Sequence, residues 1–127
     1  MDYEETVMQI IVCGGNARTH AMTAIQLAKS GNMSEARKEI KKACDELDKA
    51  HDVQTKLIQD EAAGNGTKVT LLMVHAQDHL MNAITVKDLA QEFIDMYEKQ
   101  IKMENALLRR LCKYNRKKQL YDEKVIP

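Results

Sequence analysis

Three side chains that can exchange protons or bind electrophiles lie within five residues of one another. His75, Asp78 and His79 belong to the segment Val74-His-Ala-Gln-Asp-His-Leu-Met81. At about 100° per residue, a helix places all three within one arc of roughly 100°. One helix face is therefore predicted to carry two imidazoles and a carboxylate.

This face becomes apolar further along the chain. A line of residues at three- and four-residue steps runs through Leu71, His75, Asp78, Asn82, Thr85 and Leu89. Polar groups on a face that packs against another helix are costly unless they are hydrogen-bonded or hydrated. We therefore look for function at this polar stretch.

Three interpretations of the two histidines are open from residue types alone. The first is a structural role, in which the rings are simply hydrogen-bonded. The second is a zinc site built on the pair His75 and His79, one helical turn apart. Zinc hydrolases of the His-Glu-x-x-His type need a glutamate directly after the first histidine, where this chain has Ala76, and no third ligand is evident.

The third interpretation is a nucleophilic histidine. Imidazole is largely uncharged near pH 7 and presents a ring nitrogen that can accept a phosphoryl group and release it again. An imidazole one turn away could hold the transferred group or orient the first ring.

Glycine and proline positions predict three long helices around this segment. The only proline is Pro127, so nothing interrupts a first helix from about Glu4 to Lys29 except Gly14 and Gly15. That glycine pair indicates either a close approach of two helices or a kink. Gly31 is predicted to end the helix.

The second and third helices are delimited by capping signals. Asn32 followed by Glu35 predicts a capping box at the start of the second helix, and Gly64-Asn65-Gly66 ends it. Thr67 or Thr70 is predicted to cap the third helix. An all-α fold of three antiparallel helices follows.

The third helix is apolar on more than one side. The residues concerned are Leu71, Leu72, Met73, Val74, Leu80, Met81, Ile84, Val86 and Leu89. A helix that is apolar nearly all round needs more partners than a single three-helix chain provides. We therefore expect an oligomer with the third helix at its centre.

Composition excludes several classes of protein. The chain has 127 residues, enough for one domain, and 19 Lys plus Arg balance 19 Asp plus Glu, which leaves no global field to attract nucleic acid or an anionic membrane. Aromatic residues make up only 4%, so we expect an aliphatic core of Leu, Ile, Val, Ala and the eight Met. Three cysteines without a Cys-x-x-Cys pair, and no apolar run of about 18 to 20 residues, favour a cytoplasmic protein without a membrane span.

Residues 73–81 closely resemble the signature of a known family, the lactose/cellobiose/chitobiose class of enzyme IIA components of the bacterial sugar phosphotransferase system (PTS). The resemblance covers about residues 3 to 100. It includes Gly15-Asn-Ala-Arg18, the Ala-Lys-Ser-Gly turn at 28–31, Ala50-His51 and Gln54-Thr55.

The resemblance implies a phosphotransferase component that works through a phosphohistidine. His75 is implied to accept a phosphoryl group on Nε2 from the phosphocarrier HPr and to pass it to a cysteine of the cognate IIB component during uptake of a cellobiose-, lactose- or chitobiose-type sugar. Gln77 and His79 are implied to support the active site. Contact with the membrane is implied only indirectly, through IIC.

The resemblance also implies a homotrimer with Asp78 on its axis, where a divalent cation, commonly Mg²⁺, neutralises the three carboxylates. The residues themselves favour the same picture, because three buried like charges repel one another unless a cation or protons intervene. The alternative is a non-catalytic helical adaptor or a metal-binding bundle, for which His75 would be replaceable.

The resemblance leaves the end of the chain unassigned. We divide the chain into a three-helix domain, residues 1–103, and a basic extension, residues 104–127, which could lengthen the third helix, fold back or be disordered. The extension lacks interleaved aromatics of the kind that favour nucleic-acid binding, and no nucleic-acid partner is expected. His20 and His51 are expected to be structural or solvated, and Cys13 and Cys44 to be small core residues.

Overall fold

The computed structural model describes residues 2–125, and in that range the chain forms three helices and no strand. They are α1 (Tyr3–Lys29), α2 (Met33–Ala62) and α3 (Leu71–Val125). The prediction of an all-α, three-helix chain is confirmed. Met1 and residues 126–127, including the proline that ends the sequence, lie outside the described residues.

A capping box is present, but at a different helix from the one predicted. The Asp2 carboxylate accepts a hydrogen bond from the Glu5 backbone N–H at 2.8 Å, and the Glu5 carboxylate accepts one from the Asp2 N–H at 3.2 Å, which caps α1. The prediction of a capping box at Asn32 and Glu35 was wrong, because the Asn32 side chain makes no capping hydrogen bond. The Asn32 backbone N–H instead bonds the Leu27 carbonyl at 2.8 Å, so this residue closes α1 in a non-extended conformation that does not suit side-chain capping.

Two glycines reverse the chain between helices. Gly31 has φ +88° and Gly64 has φ +86°, in the left-handed region that side chains with a Cβ rarely adopt. The connections 30–32 and 63–70 are short, so α2 runs antiparallel to both α1 and α3.

Of the two predicted candidates, Thr70 and not Thr67 caps α3. Its Oγ1 accepts a hydrogen bond from the Met73 N–H at 3.2 Å. The Tyr3 hydroxyl lies 2.7 Å from the same oxygen and donates to the Lys68 carbonyl at 3.0 Å. The first residue of α1 therefore holds the loop that leads into α3.

The core is aliphatic and unusually rich in alanine. It comprises Val7, Ile10, Cys13, Ala17, Ala21, Ala24, Ala28, Ala36, Ile40, Ala43, Leu47, Ala50, Met73, Ala76, Leu80, Ala83, Ala90 and Ile94. Small side chains allow helices to approach closely, so three helices pack densely without large residues. The expectation that the methionines fill the core was wrong for most of them, since Met73 alone among the described methionines is buried and Met8, Met22, Met81, Met96 and Met103 are exposed.

The apolar surface of α3 is only partly covered within the chain. Ala76, Leu80 and Ile94 are fully buried against the other helices, whereas Leu71 and Met81 are exposed at 85% and 52%. The sequence prediction that one chain cannot cover this helix therefore agrees with the structure of the single chain. Among residues 2–125, no helix has a stretch long and apolar enough to cross a membrane.

A matched pair of leucine substitutions tests the assignment of faces on α3. Leu80→Ala is expected to lower the free energy of unfolding by about 2–5 kcal/mol, because it opens a cavity at a fully buried position. Leu108→Ala, at a position that is 58% exposed, is expected to change it by less than about 0.5 kcal/mol. Urea unfolding followed by circular dichroism measures both, and equal losses would contradict the assignment.

Candidate functional site

His75 and His79 form a pair of rings on α3. Their ring centroids are 6.0 Å apart and their planes differ by 17°. His75 is exposed and His79 is half-buried. The outer ring is thus open to a reaction partner, while the inner ring is held against the bundle.

The glycine pair of α1 makes room for the inner ring. A Cβ on Gly14 would lie 3.4 Å from His79 Cδ2 and 3.6 Å from Leu80 Cα, and one on Gly15 would lie 3.3 Å from His79 Nε2. Of the two interpretations offered by the sequence, close helix approach is the one the structure supports. Sequence reasoning missed that the glycines also form the floor under His79, for which the unusual Gly-Gly pair inside a helix was the available signal.

Gln77 lies on the side of α3 that faces α2. Its Oε1 accepts a hydrogen bond from Gln54 Nε2 at 2.6 Å, and its Nε2 lies 3.9 Å from Met73 Sδ. The structure therefore ties Gln77 to α2 and fixes the rotation of α3, but no hydrogen bond joins Gln77 to His75 within residues 2–125. Gln54 is a supporting residue to which sequence analysis gave no role.

Asp78 is exposed and lies at the edge of a groove. The groove has a volume of about 460 Å³ and runs between the end of α2 and the start of α3. Its walls include the exposed apolar side chains Ile58, Val69, Val74 and Met81. Asp78 and Glu61 are thus the two carboxylates that line the groove, beside an apolar surface that the chain itself leaves uncovered.

The other two histidines belong to α1 and α2. His20 Nδ1 is 2.6 Å from Glu39 Oε2, which joins α1 to α2. Hydrogen bonds from Lys42 and then from His20 hold the pKa of Glu39 below its ordinary value. His51 is exposed on α2. His20 thus has a structural partner within the chain.

The cysteines are all free, at three different depths. Cys13 is buried, Cys44 is half-buried and Cys112 is exposed. Burial, followed by the neighbouring Glu46, raises the pKa of the Cys13 thiol. The expectation of small core residues holds fully for Cys13 and in part for Cys44.

A metal site within one chain finds no support from the geometry. No three side chains of His, Cys, Asp or Glu in the described part of the chain are arranged to hold an ion. Within residues 2–125, His75 and His79 therefore belong to no set of three such side chains. Asp78 likewise belongs to no such set within the described part of one chain.

The chain, a three-helix bundle with an exposed histidine stacked on a second one, can be assigned to a family by comparison with known proteins. The sequence profile of the family described as PTS system, lactose/cellobiose specific IIA subunit, matches residues 5–98. The chain belongs to this family.

Individual relatives agree with this assignment. The lichenan-specific phosphotransferase enzyme IIA component of Bacillus subtilis is 60% identical over 98 residues, which cover 77% of this chain and 89% of that protein. The crystal structure of the PTS cellobiose-specific enzyme IIA from Bacillus anthracis superposes with a TM-score of 0.77 at 51% identity, covering 80% of this chain and 94% of that one.

A further solved structure shows a relative with a partner. It is the IIA(chitobiose)–HPr complex of the N,N'-diacetylchitobiose branch of the Escherichia coli phosphotransferase system. It matches with a TM-score of 0.69 at 39% identity, covering 79% of this chain and 97% of that chain.

A methyl group on the glycine floor is expected to move the inner ring. Gly15→Ala places a Cβ 3.3 Å from His79 Nε2, so the ring must shift by a few tenths of an ångström, while the helix itself gains up to about 1 kcal/mol of propensity. Nitrogen–proton NMR correlations of the imidazoles should therefore show a larger change at His79 than at His20. An unchanged His79 signal would show that the floor does not position the ring.

Proposed function

We propose that this chain is a phosphoryl carrier, which accepts the group from phosphorylated HPr on His75 and delivers it to the cysteine of its cognate IIB component. The observation that carries the proposal is the exposed His75 ring stacked on the anchored His79 ring, in a chain that belongs to the PTS IIA family. The complex of a relative with HPr supports the choice of donor.

The exposure of His75 suits a relay between proteins. The reacting nitrogen must meet the phosphoryl group of one protein and later the thiolate of another, so it cannot lie in a closed pocket. Apolar side chains surround it on α3, including Leu71, Leu72 and Val74, which are 85%, 40% and 52% exposed. Apolar surface at such a site supports docking of protein partners.

The transfer itself is a pair of substitutions at phosphorus. The lone pair of His75 Nε2 attacks, a nitrogen–phosphorus bond forms, and the bond between phosphorus and HPr breaks with its electron pair left on HPr. In the second step the IIB thiolate attacks the same phosphorus, and the electron pair returns to the His75 ring. His79 is the positioning residue, because its ring is held by the Gly14–Gly15 floor and stacks on His75.

The sugar belongs to the cellobiose, lactose and chitobiose group in this proposal, with membrane contact only through IIC and the carrier in the cytoplasm. Relatives named for lichenan, cellobiose and N,N'-diacetylchitobiose support that range. The carrier contacts other proteins rather than the sugar, so its own residues do not select among these sugars.

The trimer and its cation are part of the same proposal. Asp78 offers an exposed carboxylate at the edge of an uncovered apolar groove and makes no ion pair within residues 2–125. Three copies would present three hard oxygen ligands, a donor set that fits Mg²⁺. Bound there, the ion would neutralise charges that otherwise oppose assembly.

Replacing the outer histidine is expected to abolish the modification. Incubation with enzyme I, HPr and phosphoenolpyruvate should add one acid-labile phosphoryl group to the wild type, detected by intact-mass analysis, and none to His75→Ala. His51→Ala is the matched control, because it removes an exposed histidine from α2, and it should be modified like the wild type. Modification of His75→Ala, or failure of the wild type, would overturn the proposal.

Magnesium should stabilise the assembly through Asp78. Adding Mg²⁺ is expected to raise the Tm of the wild type by mass action and to leave that of Asp78→Asn unchanged. Asp52→Asn, which alters an exposed carboxylate on α2, should respond like the wild type. An equal response of all three proteins would exclude a cation at Asp78.

A further inference from the structure

The last part of α3 leaves the three-helix bundle and continues alone. The methyl end of Ile101 lies 4.0 Å from where a Cβ of Gly31 would be, at the turn between α1 and α2. Beyond it, every side chain from 102 to 125 is exposed except two half-buried ones, Ala106 and Asp122. About 24 residues of helix, roughly 36 Å at 1.5 Å per residue, thus project without an intrachain partner. We call residues 99–125 the distal segment; they follow the family match, which ends at residue 98.

One line of exposed apolar side chains runs along this helix. From Leu89 it continues, at steps of four and three residues, through Phe93, Met96, Gln100, Met103, Leu107, Leu111, Tyr114, Lys118, Tyr121 and Val125. We call these eleven positions the apolar stripe. Its apolar members are 43% to 65% exposed, and its steps repeat every 18 residues, which is five turns of a helix with 3.6 residues per turn.

The apolar stripe lies opposite the packed face of α3. At about 100° per residue, Leu89 and Leu107 lie roughly 180° around the helix from the buried Leu80 and roughly 140° from the buried Ile94. Traced backwards by the same steps, the line reaches Asp78. The stripe is thus the continuation of the surface that the proposed function places on the trimer axis.

We propose that the apolar stripe packs against the same stripe of two further copies, so that the distal segments form a parallel three-stranded coiled coil. The number three and the common axis rest on the proposed function. The parallel orientation and the choice of this chain as its own partner rest on the charges beside the stripe.

Within the distal segment, the two flanks of the stripe carry opposite charges. One flank has the cations Lys99, Arg110, Lys117 and Lys124, and the other has the anions Glu104 and Asp122. In a parallel assembly the first flank of each helix meets the second flank of its neighbour, as in other coiled coils where flanking charges set orientation. Lys99 then faces Glu104 of the next copy and Lys117 faces Asp122, each five residues further on. Lys99, Arg110 and Lys117 form no ion pair among the residues described in one chain.

An antiparallel assembly would bring like flanks together. The cationic flanks would then oppose one another, and so would Glu104 and Asp122, which costs free energy instead of gaining it. Gln100 and Lys118 are the two polar positions of the stripe. Polar residues at isolated core positions favour one register and one number of strands, and a lysine stem can lie along apolar surface with its ammonium in water.

Substitutions at two neighbouring leucines of the distal segment test the coiled coil by hydrogen exchange. Leu107 lies on the stripe and Leu108 lies about 100° away from it, and both are 58% exposed in the single chain. Leu107→Glu is expected to speed the exchange of amides 103–121 by at least about tenfold, because an unpartnered helix opens readily. Leu108→Glu should leave the rates as in the wild type, and α1 should stay protected in both. Equal rates in all three proteins would overturn the proposal.

Disulfide cross-linking tests whether the distal segments of neighbouring copies run parallel or antiparallel. Gln100→Cys and Lys118→Cys are made separately in a Cys44→Ser, Cys112→Ser background, since the remaining Cys13 is buried. After mixing under conditions that exchange subunits, oxidation should join copies of the same variant and not the two variants to each other. Disulfides between the two variants would demonstrate an antiparallel pairing, and no disulfide of either kind would mean that the stripes do not meet.

These results separate the coiled coil from the proposed function. Phosphorylation at His75 without protection of the distal segment would overturn the coiled coil alone. Protection and same-variant disulfides without phosphorylation would overturn the proposed function and leave the parallel assembly in place.

Discussion

The close contact between α1 and α3 at Gly14 and Gly15 is the constraint on which the site depends. Because these residues have no Cβ, the backbone of α3 approaches α1 near Leu80, and the His79 ring rests on the glycines. Leu80 enters the core, and His75, one turn before His79, remains at the surface. The rotation of α3 that buries Leu80 therefore also exposes His75. The hydrogen bond from Gln54 to Gln77 holds the same rotation from the side of α2.

The exposed line of residues on α3 changes from polar to apolar along the length of the helix. Between residues 71 and 85 it carries His75, Asp78, Asn82 and Thr85, and from Leu89 onward it is mainly apolar. A polar line can meet water, ions and partner proteins, whereas an apolar line gains most from contact with a similar surface. In our account the first part supports phosphoryl transfer and the second supports assembly. In this account the core between the helices can be small and alanine-rich, since α3 would gain further contacts from other copies.

The spacing of the apolar residues and the positions of glycine and proline were enough to predict the three helices. Helical geometry then predicted the shared face of His75, Asp78 and His79. These features depend on residues close in sequence, which a regular helix places in known directions. The extent of α3 was left open, because high helix propensity does not decide whether an unpartnered segment continues, folds back or unfolds. The structure continues it to Val125.

The contacts between residues of different helices could not be predicted from a single sequence. Gln54 with Gln77, and the glycine floor with His79, are contacts between residues far apart in the chain. The prediction of a capping box at Asn32 was wrong for a local reason, because the Asn32 backbone N–H already bonds the Leu27 carbonyl at the end of α1. The methionines were misplaced because hydrophobicity alone does not distinguish a core residue from one on an exposed apolar face, which is where Met81, Met96 and Met103 lie.

The most direct test of the central claim is to locate the phosphoryl group on the protein. Nitrogen-15 and phosphorus-31 NMR of the carrier, after reaction with phosphorylated HPr, identify both the histidine and the ring nitrogen that is modified. Our account predicts a single bond from phosphorus to Nε2 of His75, with the His79 ring unmodified. A phosphoryl group on His79, on another residue, or on none would contradict it.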